Sequence, residues 1–134
     1  MNVENILEKT LNSKGDSDKH LLTLLGIAIG SSAKTIIELG VRNGDTTYPL
    51  LMAANINNGN LYSVDIEDTK FIPDQEYVKN WKFYKLDAIK FLEKWPQDKN
   101  IDLVYLDDWH SYEHVKKELE ILDKINSLEK KRGV

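Results

Sequence analysis

The stretch that decides the fold is residues 35–44, "TIIELGVRNG". A short apolar run ends on Glu38, and Gly40 and Gly44 follow around a turn. Ile36 to Leu39 is too short and too apolar for a surface element, so it reads as a buried strand. The turn after it has three readings: a phosphate loop, a loop for a different kind of cofactor, or an ordinary strand-to-helix connection.

Working outward, apolar spacing alternates between helix and strand. Val3, Ile6, Leu7 and Leu11 fit one face of a short helix. Leu21 to Ile29 predicts a second helix, apolar on more than one face and wedged against a sheet. After Gly44, "DTTYPLLMAANINN" reads as a helix with Asp45 or Thr46 as its cap, Pro49 in its first turn and Gly59 beyond its end. "LYSVDI" and "WKFYKL" are further strands, joined by a polar connection carrying Pro73. "AIKFLEKW" is a helix stopped by Pro96, and "IDLVYL" is the fourth strand. A last helix starts at Ser111 or Tyr112, with Val115, Leu119, Leu122, Ile125 and Leu128 on one side.

This alternation argues an α/β fold, a mostly parallel sheet with helices on both faces. The 134 residues are expected to form one domain, residues 1–33 as N-terminal helices and 34–134 as the core. The apolar share of 41% with 30% charged residues excludes a disordered chain. A net charge of −4, with "KKR" at 130–132 as the one dense basic run, argues against nucleic acid as a partner. The absence of cysteine removes thiolate metal sites and thiol nucleophiles and fits a reducing compartment. The longest apolar stretch, "LLTLLGIAIG" at 21–30, is too short to cross a bilayer, and residues 1–20 do not resemble a signal peptide. No membrane association is expected, and the cytoplasm is the expected location.

The acids carry the functional information. Glu38 closes the first strand, Asp65 the second, Asp87 follows the third and Asp107 the fourth. In parallel α/β sheets ligands gather beyond the carboxyl ends of the strands. Single strand-end aspartates are common turn formers; four in register point to a shared site. A phosphate loop wants a lysine and little negative charge, yet "GVRNGDTT" lacks the Gly-Lys-Ser/Thr ending. A dinucleotide loop wants a second glycine where Arg42 stands. A ligand with a cationic amino group, a ribose diol and no phosphate suits this edge better. Asp65 lies at the usual distance beyond the loop for a carboxylate that accepts both ribose hydroxyls.

These residues resemble the first motifs of class I methyltransferases that use S-adenosylmethionine: "IIELGVRNG", then "LYSVDIED" and "YKLDAIKFL". "IDLVYLDDWHSYEHVKKELEIL" further resembles a bacterial branch that includes cephalosporin hydroxylase-like and macrocin O-methyltransferase-like proteins. Asp107, His110, Tyr112, Glu113 and Val115 match its pattern in order. The resemblance implies that Gly40 and Gly44 border the methionine part of the cofactor. It also implies that Glu38 orders the loop and helps hold the ammonium group, that Asp65 grips the ribose and that Asp87 sits near the adenine amino group. Asp107 would lie beside the transferred methyl and, with Asp108, offer oxygen ligands to Mg²⁺. His110 would face the acceptor, a small molecule methylated on a hydroxyl oxygen, as the candidate base.

Each assignment has a plainer alternative. Gly40 and Gly44 also suit a tight turn, Asp87 also caps a helix, and His110 also suits a surface loop. His114, one turn later, reads as a helix-surface residue, because a histidine pair lacking a third ligand is a poor zinc site. A non-catalytic cofactor-binding or structural remnant of such an enzyme, or a nucleotide-binding enzyme of another class, are the competing functions. Proteins of this kind normally continue beyond the fourth strand and its helix. In the strand order three, two, one, four, "IDLVYL" is then an exposed apolar edge, which predicts a homo-oligomer.

Overall fold

A computed structural model describes residues 2–12, 20–107 and 111–131, with side chains as far as residue 125. Two helices lead into the sheet: α1 (Val3–Leu11) and α2 (Leu21–Gly30). Then follow β1 (Thr35–Leu39), α3 (Thr47–Ile56), β2 (Asn60–Asp65), a 3₁₀ turn (Gln75–Asn80), β3 (Trp81–Lys85), α4 (Ala88–Glu93), β4 (Leu103–Leu106) and α5 (Tyr112–Lys131). The strands form one parallel sheet in the order β3-β2-β1-β4. Parallel neighbours need crossovers, and the helices supply them. All four strands therefore end on the same side.

The alternation of side chains along β1 explains the two layers. Ile36 packs with α2 and α3, among Leu25, Ala28, Leu50 and Leu51. Ile37 and Leu39 face the opposite layer, where α4 and α5 contribute Phe91, Leu92 and Ile125. Ile36, Ile37 and Leu39 are wholly buried, so truncating any of them to alanine costs about 2–5 kcal/mol. At the amino edge, Asp102 accepts the backbone N–H groups of Lys34 and Thr35, both at 2.9 Å, and so ties the start of β4 to β1.

Three sequence expectations are revised. α1 exists, but Ile6 alone among its apolar residues is buried; Val3, Leu7 and Leu11 are exposed. The connection through Pro73 contains the 3₁₀ turn, whose Tyr77 and Asn80 are buried. On α5 the inner face is rotated from the expected one: Leu119 is 51% exposed, whereas Glu118 is wholly buried. Ile121, Leu122 and Ile125 complete that inner face, and the side chain of Leu128 lies outside the described residues. Among the described residues no helix is long and apolar enough to cross a membrane.

Candidate functional site

The turn from β1 into α3 is built around a buried acid. Glu38 is wholly enclosed and accepts hydrogen bonds from Thr46 Oγ1 at 2.5 Å, Thr47 Oγ1 at 2.7 Å and Ser63 Oγ at 2.8 Å. Removal from water dominates its ionisation and outweighs the three hydroxyls, with Asp107 nearby adding to the rise; its carboxyl is pushed up to about 7. Thr46, the residue before α3, spends its hydroxyl on Glu38 and not on a helix cap. The start of α3 is thereby fastened to the middle of the sheet.

The loop between them has left-handed backbone at Gly40 (φ 99°), Arg42 (φ 53°) and Gly44 (φ 87°). Glycine takes this region without penalty, but arginine does not. Two contacts hold Arg42 there. Asp65 Oδ2 accepts its N–H at 3.0 Å, and Thr69 Oγ1 donates to its carbonyl at 2.7 Å. At Gly44 space is also decisive, since a Cβ would lie 2.4 Å from Cδ1 of Phe71. The Phe71 ring fills the place a side chain would need.

Asp65 stands at the end of β2 and reaches back to the same loop. Its Oδ2 also accepts Val41 N–H at 2.9 Å, and its Oδ1 accepts Glu67 N–H at 3.0 Å. Burial alone would raise its carboxyl, but the N–H groups of Glu67, Arg42, Val41 and Ile66 prevail and hold it below the ordinary value. It stays ionised at neutral pH. Asp87 opens α4, its Oδ1 accepting Ile89 N–H at 2.9 Å and Lys90 N–H at 3.3 Å. The capping alternative therefore holds, and Asp87 borders the site as well.

Beyond the carboxyl ends lies a cavity of about 440 Å³, of the size that small ligands occupy. Its floor and walls include Gly40, Val64, Ile66, Leu86 and Ala88. Five carboxylates line it (Asp65, Glu67, Asp68, Asp87 and Asp107) against two cations, Arg42 and Lys70. Arg42 Nη2 comes within 4.0 Å of Asp107 Oδ1. The balance is negative, which disfavours a phosphate and favours a cationic ligand.

Of the residues read from the sequence, the cavity brings together Gly40, Asp65, Asp87 and Asp107. Glu38 and Gly44 do not line it; they shape the loop from behind. Asp108 and His110 lie outside the described residues. No group of three histidine or acidic side chains suited to a metal occurs among the described residues, and nothing here supports the Mg²⁺ expectation. His114 is the residue that sequence reasoning misplaced. It lines the cavity, and its Nε2 lies 3.5 Å from Oε1 of Glu118. The available signal was spacing, because residues 114, 118, 121, 122 and 125 fall on one helical stripe.

Residues 37–127, more than half of the chain, match the family model described as a methyltransferase domain. No curated protein matches. Among solved structures the chain resembles the one described as "Crystal structure of a putative O-methyltransferase from Klebsiella pneumoniae", with a TM-score of 0.52 and 15% identity. The likeness covers 88% of this chain and 59% of that one, so the chain spans about three fifths of that protein's length. At this identity the likeness concerns the fold. With a matched family model, a parallel β3-β2-β1-β4 sheet and a glycine turn beneath an acidic crevice, the chain belongs to the methyltransferase-domain family and has its Rossmann-like, class I core.

Proposed function

We propose that this chain binds S-adenosylmethionine at the carboxyl edge of its sheet and serves methyl transfer to a hydroxyl oxygen of a small molecule. The observation that carries the reading is the convergence of Gly40, Asp65 and Asp87 on one negatively charged cavity within a methyltransferase domain. The donor set fits the ligand. Asp65 is held ionised at the cavity wall, a charged acceptor suited to ribose hydroxyls. Asp87 spends Oδ1 on its helix, which leaves Oδ2 for an exocyclic amino group. Ile66 is exposed beside the cavity and offers an apolar face to a purine.

A bound sulfonium compound supplies an electrophilic methyl carbon. The chain's own contribution is placement. Holding donor and acceptor in line accounts for much of the rate in such displacements, and a loop pinned by Glu38 and Asp65 gives that placement rigidity. Surplus negative charge around the cavity favours a cationic sulfonium over its neutral product. Arg42, in the position where a dinucleotide loop carries its second glycine, argues against a pyrophosphate ligand.

Calorimetry with S-adenosylmethionine, S-adenosylhomocysteine and NAD tests the reading. The first two are expected to bind and NAD is not; no heat from either adenosyl compound rejects it. Assays with catechols and sugar hydroxyls, with and without Mg²⁺, then address the acceptor and the metal. The proposal extends to assembly. β4 lies at the edge of the sheet and its four residues are only half-buried, a surface suited to pairing with a second copy.

A further inference from the structure

We infer that Arg42 is the position from which the cavity reads a carboxylate on its ligand, and that the loop keeps a strained backbone there to present the guanidinium. This deepens the function proposed above and rests on it. Among the described residues, Ser32, Arg42 and Asn58 are the left-handed ones other than glycine. Ser32 and Asn58 each lie two residues past the end of a helix, α2 and α3, where a left-handed residue closes the last turn. Arg42 closes no helix. It stands between β1 and α3, fixed from both sides: Asp65 Oδ2 accepts its N–H and Thr69 Oγ1 donates to its carbonyl. Those contacts use only the backbone of residue 42. They would hold glycine equally well, and glycine takes this conformation without penalty. Strain kept at such a place points to a task for the side chain.

The fold gains little from that side chain. It is 63% exposed, and among the described residues its guanidinium donates no hydrogen bond. The 4.0 Å ion pair with Asp107 is of the partly exposed kind that contributes little to stability. What the side chain has is a place on the cavity wall, where β1 and β4 end, in a lining of five carboxylates. Lys70, the other cation of the lining, stands on ordinary backbone. Strain singles out Arg42.

A guanidinium set among acids meets a group that the acids by themselves would repel. Its planar fork of N–H donors matches a carboxylate through two parallel bonds. A phosphate brings a second negative charge and suits the acidic surroundings less. Two ligands of the proposed reaction can bring a carboxylate: the amino-acid end of the adenosyl compound, and the acceptor.

The experiment pairs ligands that differ by one carboxylate, on the whole wild-type chain and on Arg42→Gln and Arg42→Gly. Gln keeps the strained backbone without the charge, and Gly also releases the strain, so each serves if the other folds poorly. One arm compares S-adenosylhomocysteine with its decarboxylated homologue by calorimetry. The other compares 3,4-dihydroxybenzoate with catechol on the chain saturated with S-adenosylhomocysteine. In at least one arm the wild type is expected to prefer the acid, and that preference should fall about ten-fold in both variants, the scale of a lost charged hydrogen bond. The arm that responds names the source of the carboxylate. Arg42→Gly should also melt no lower than the wild type.

An acid preference that neither variant changes in either arm overturns the assignment. So does a loss of affinity equal for both members of each pair, which makes Arg42 a shaper of the loop. A lower melting temperature in Arg42→Gly makes the guanidinium a brace of the fold and likewise overturns it. In each of these cases the adenosyl compound still binds the wild type, and the function proposed above stands. Binding of neither S-adenosylmethionine nor S-adenosylhomocysteine to the wild type overturns that function and this inference together.

Discussion

Ser63 stands opposite Glu38 across the β1–β2 pair and donates to its Oε1 at 2.8 Å. Ser63 Oγ in turn accepts Trp81 Nε1–H at 2.9 Å. A buried polar chain thus runs from β3 through β2 to β1 and ends on the threonines that begin α3. Its acid binds its proton more tightly folded than unfolded, so its contribution to stability is full below about pH 4.5 and falls as pH rises through about 7. For one group shifted this far the fall is about 3 kcal/mol. Urea unfolding at pH 5 and pH 8 should show Glu38→Gln losing less stability over that interval than the wild type. Parallel curves would place the titration elsewhere.

Asp65 holds the glycine loop, and the proposed function gives it a second task, meeting the ligand. Asp65→Ala should weaken S-adenosylmethionine binding by roughly 1–3 kcal/mol, the scale of charged hydrogen bonds lost from a partly buried site. It should also speed amide exchange at Val41 and Arg42, whose N–H groups the carboxylate accepts. An unchanged affinity would remove Asp65 from the binding site, and unchanged exchange would remove it from the loop.

Phe71 occupies the space above Gly44. Gly44→Ala should destabilise the fold by roughly 1–3 kcal/mol through overpacking, with about 1 kcal/mol more from the left-handed backbone. In a Phe71→Ala background the steric part should vanish and the backbone part remain. A double-mutant cycle on melting curves measures that coupling; additive losses would mean that the ring and the glycine do not compete for one space.

The half-buried β4 edge should drive self-association. Sedimentation across a hundred-fold range of concentration is expected to show dimers or larger species, and a monomer throughout would reject the edge as an interface between copies.

Much of the architecture is legible in the sequence because its signals are local. Short apolar runs and helical spacing set the alternation of strands and helices, and parallel pairing follows from the crossovers they imply. The order β3-β2-β1-β4 agrees with the expected one. Strand-end acids mark the carboxyl edge because each ends its own apolar run. Sequence spacing erred where two neighbouring residues of one helix compete for its inner face. Leu119 and Glu118 are neighbours on α5, and apolar character favours Leu119 for the inner face, yet the helix turns Glu118 inwards.

The sequence alone determined that this chain is an α/β core with acids gathered at one edge, since hydrophobic period and turn chemistry are properties of short segments. Only the tertiary structure decided what each acid does. Glu38 became a buried anchor, Asp65 a brace for a left-handed loop, Asp87 both a cap and a wall, and Glu118 a buried partner of His114. Ionisation and hydrogen bonding depend on what lies across the fold, and no spacing along a chain specifies those distances.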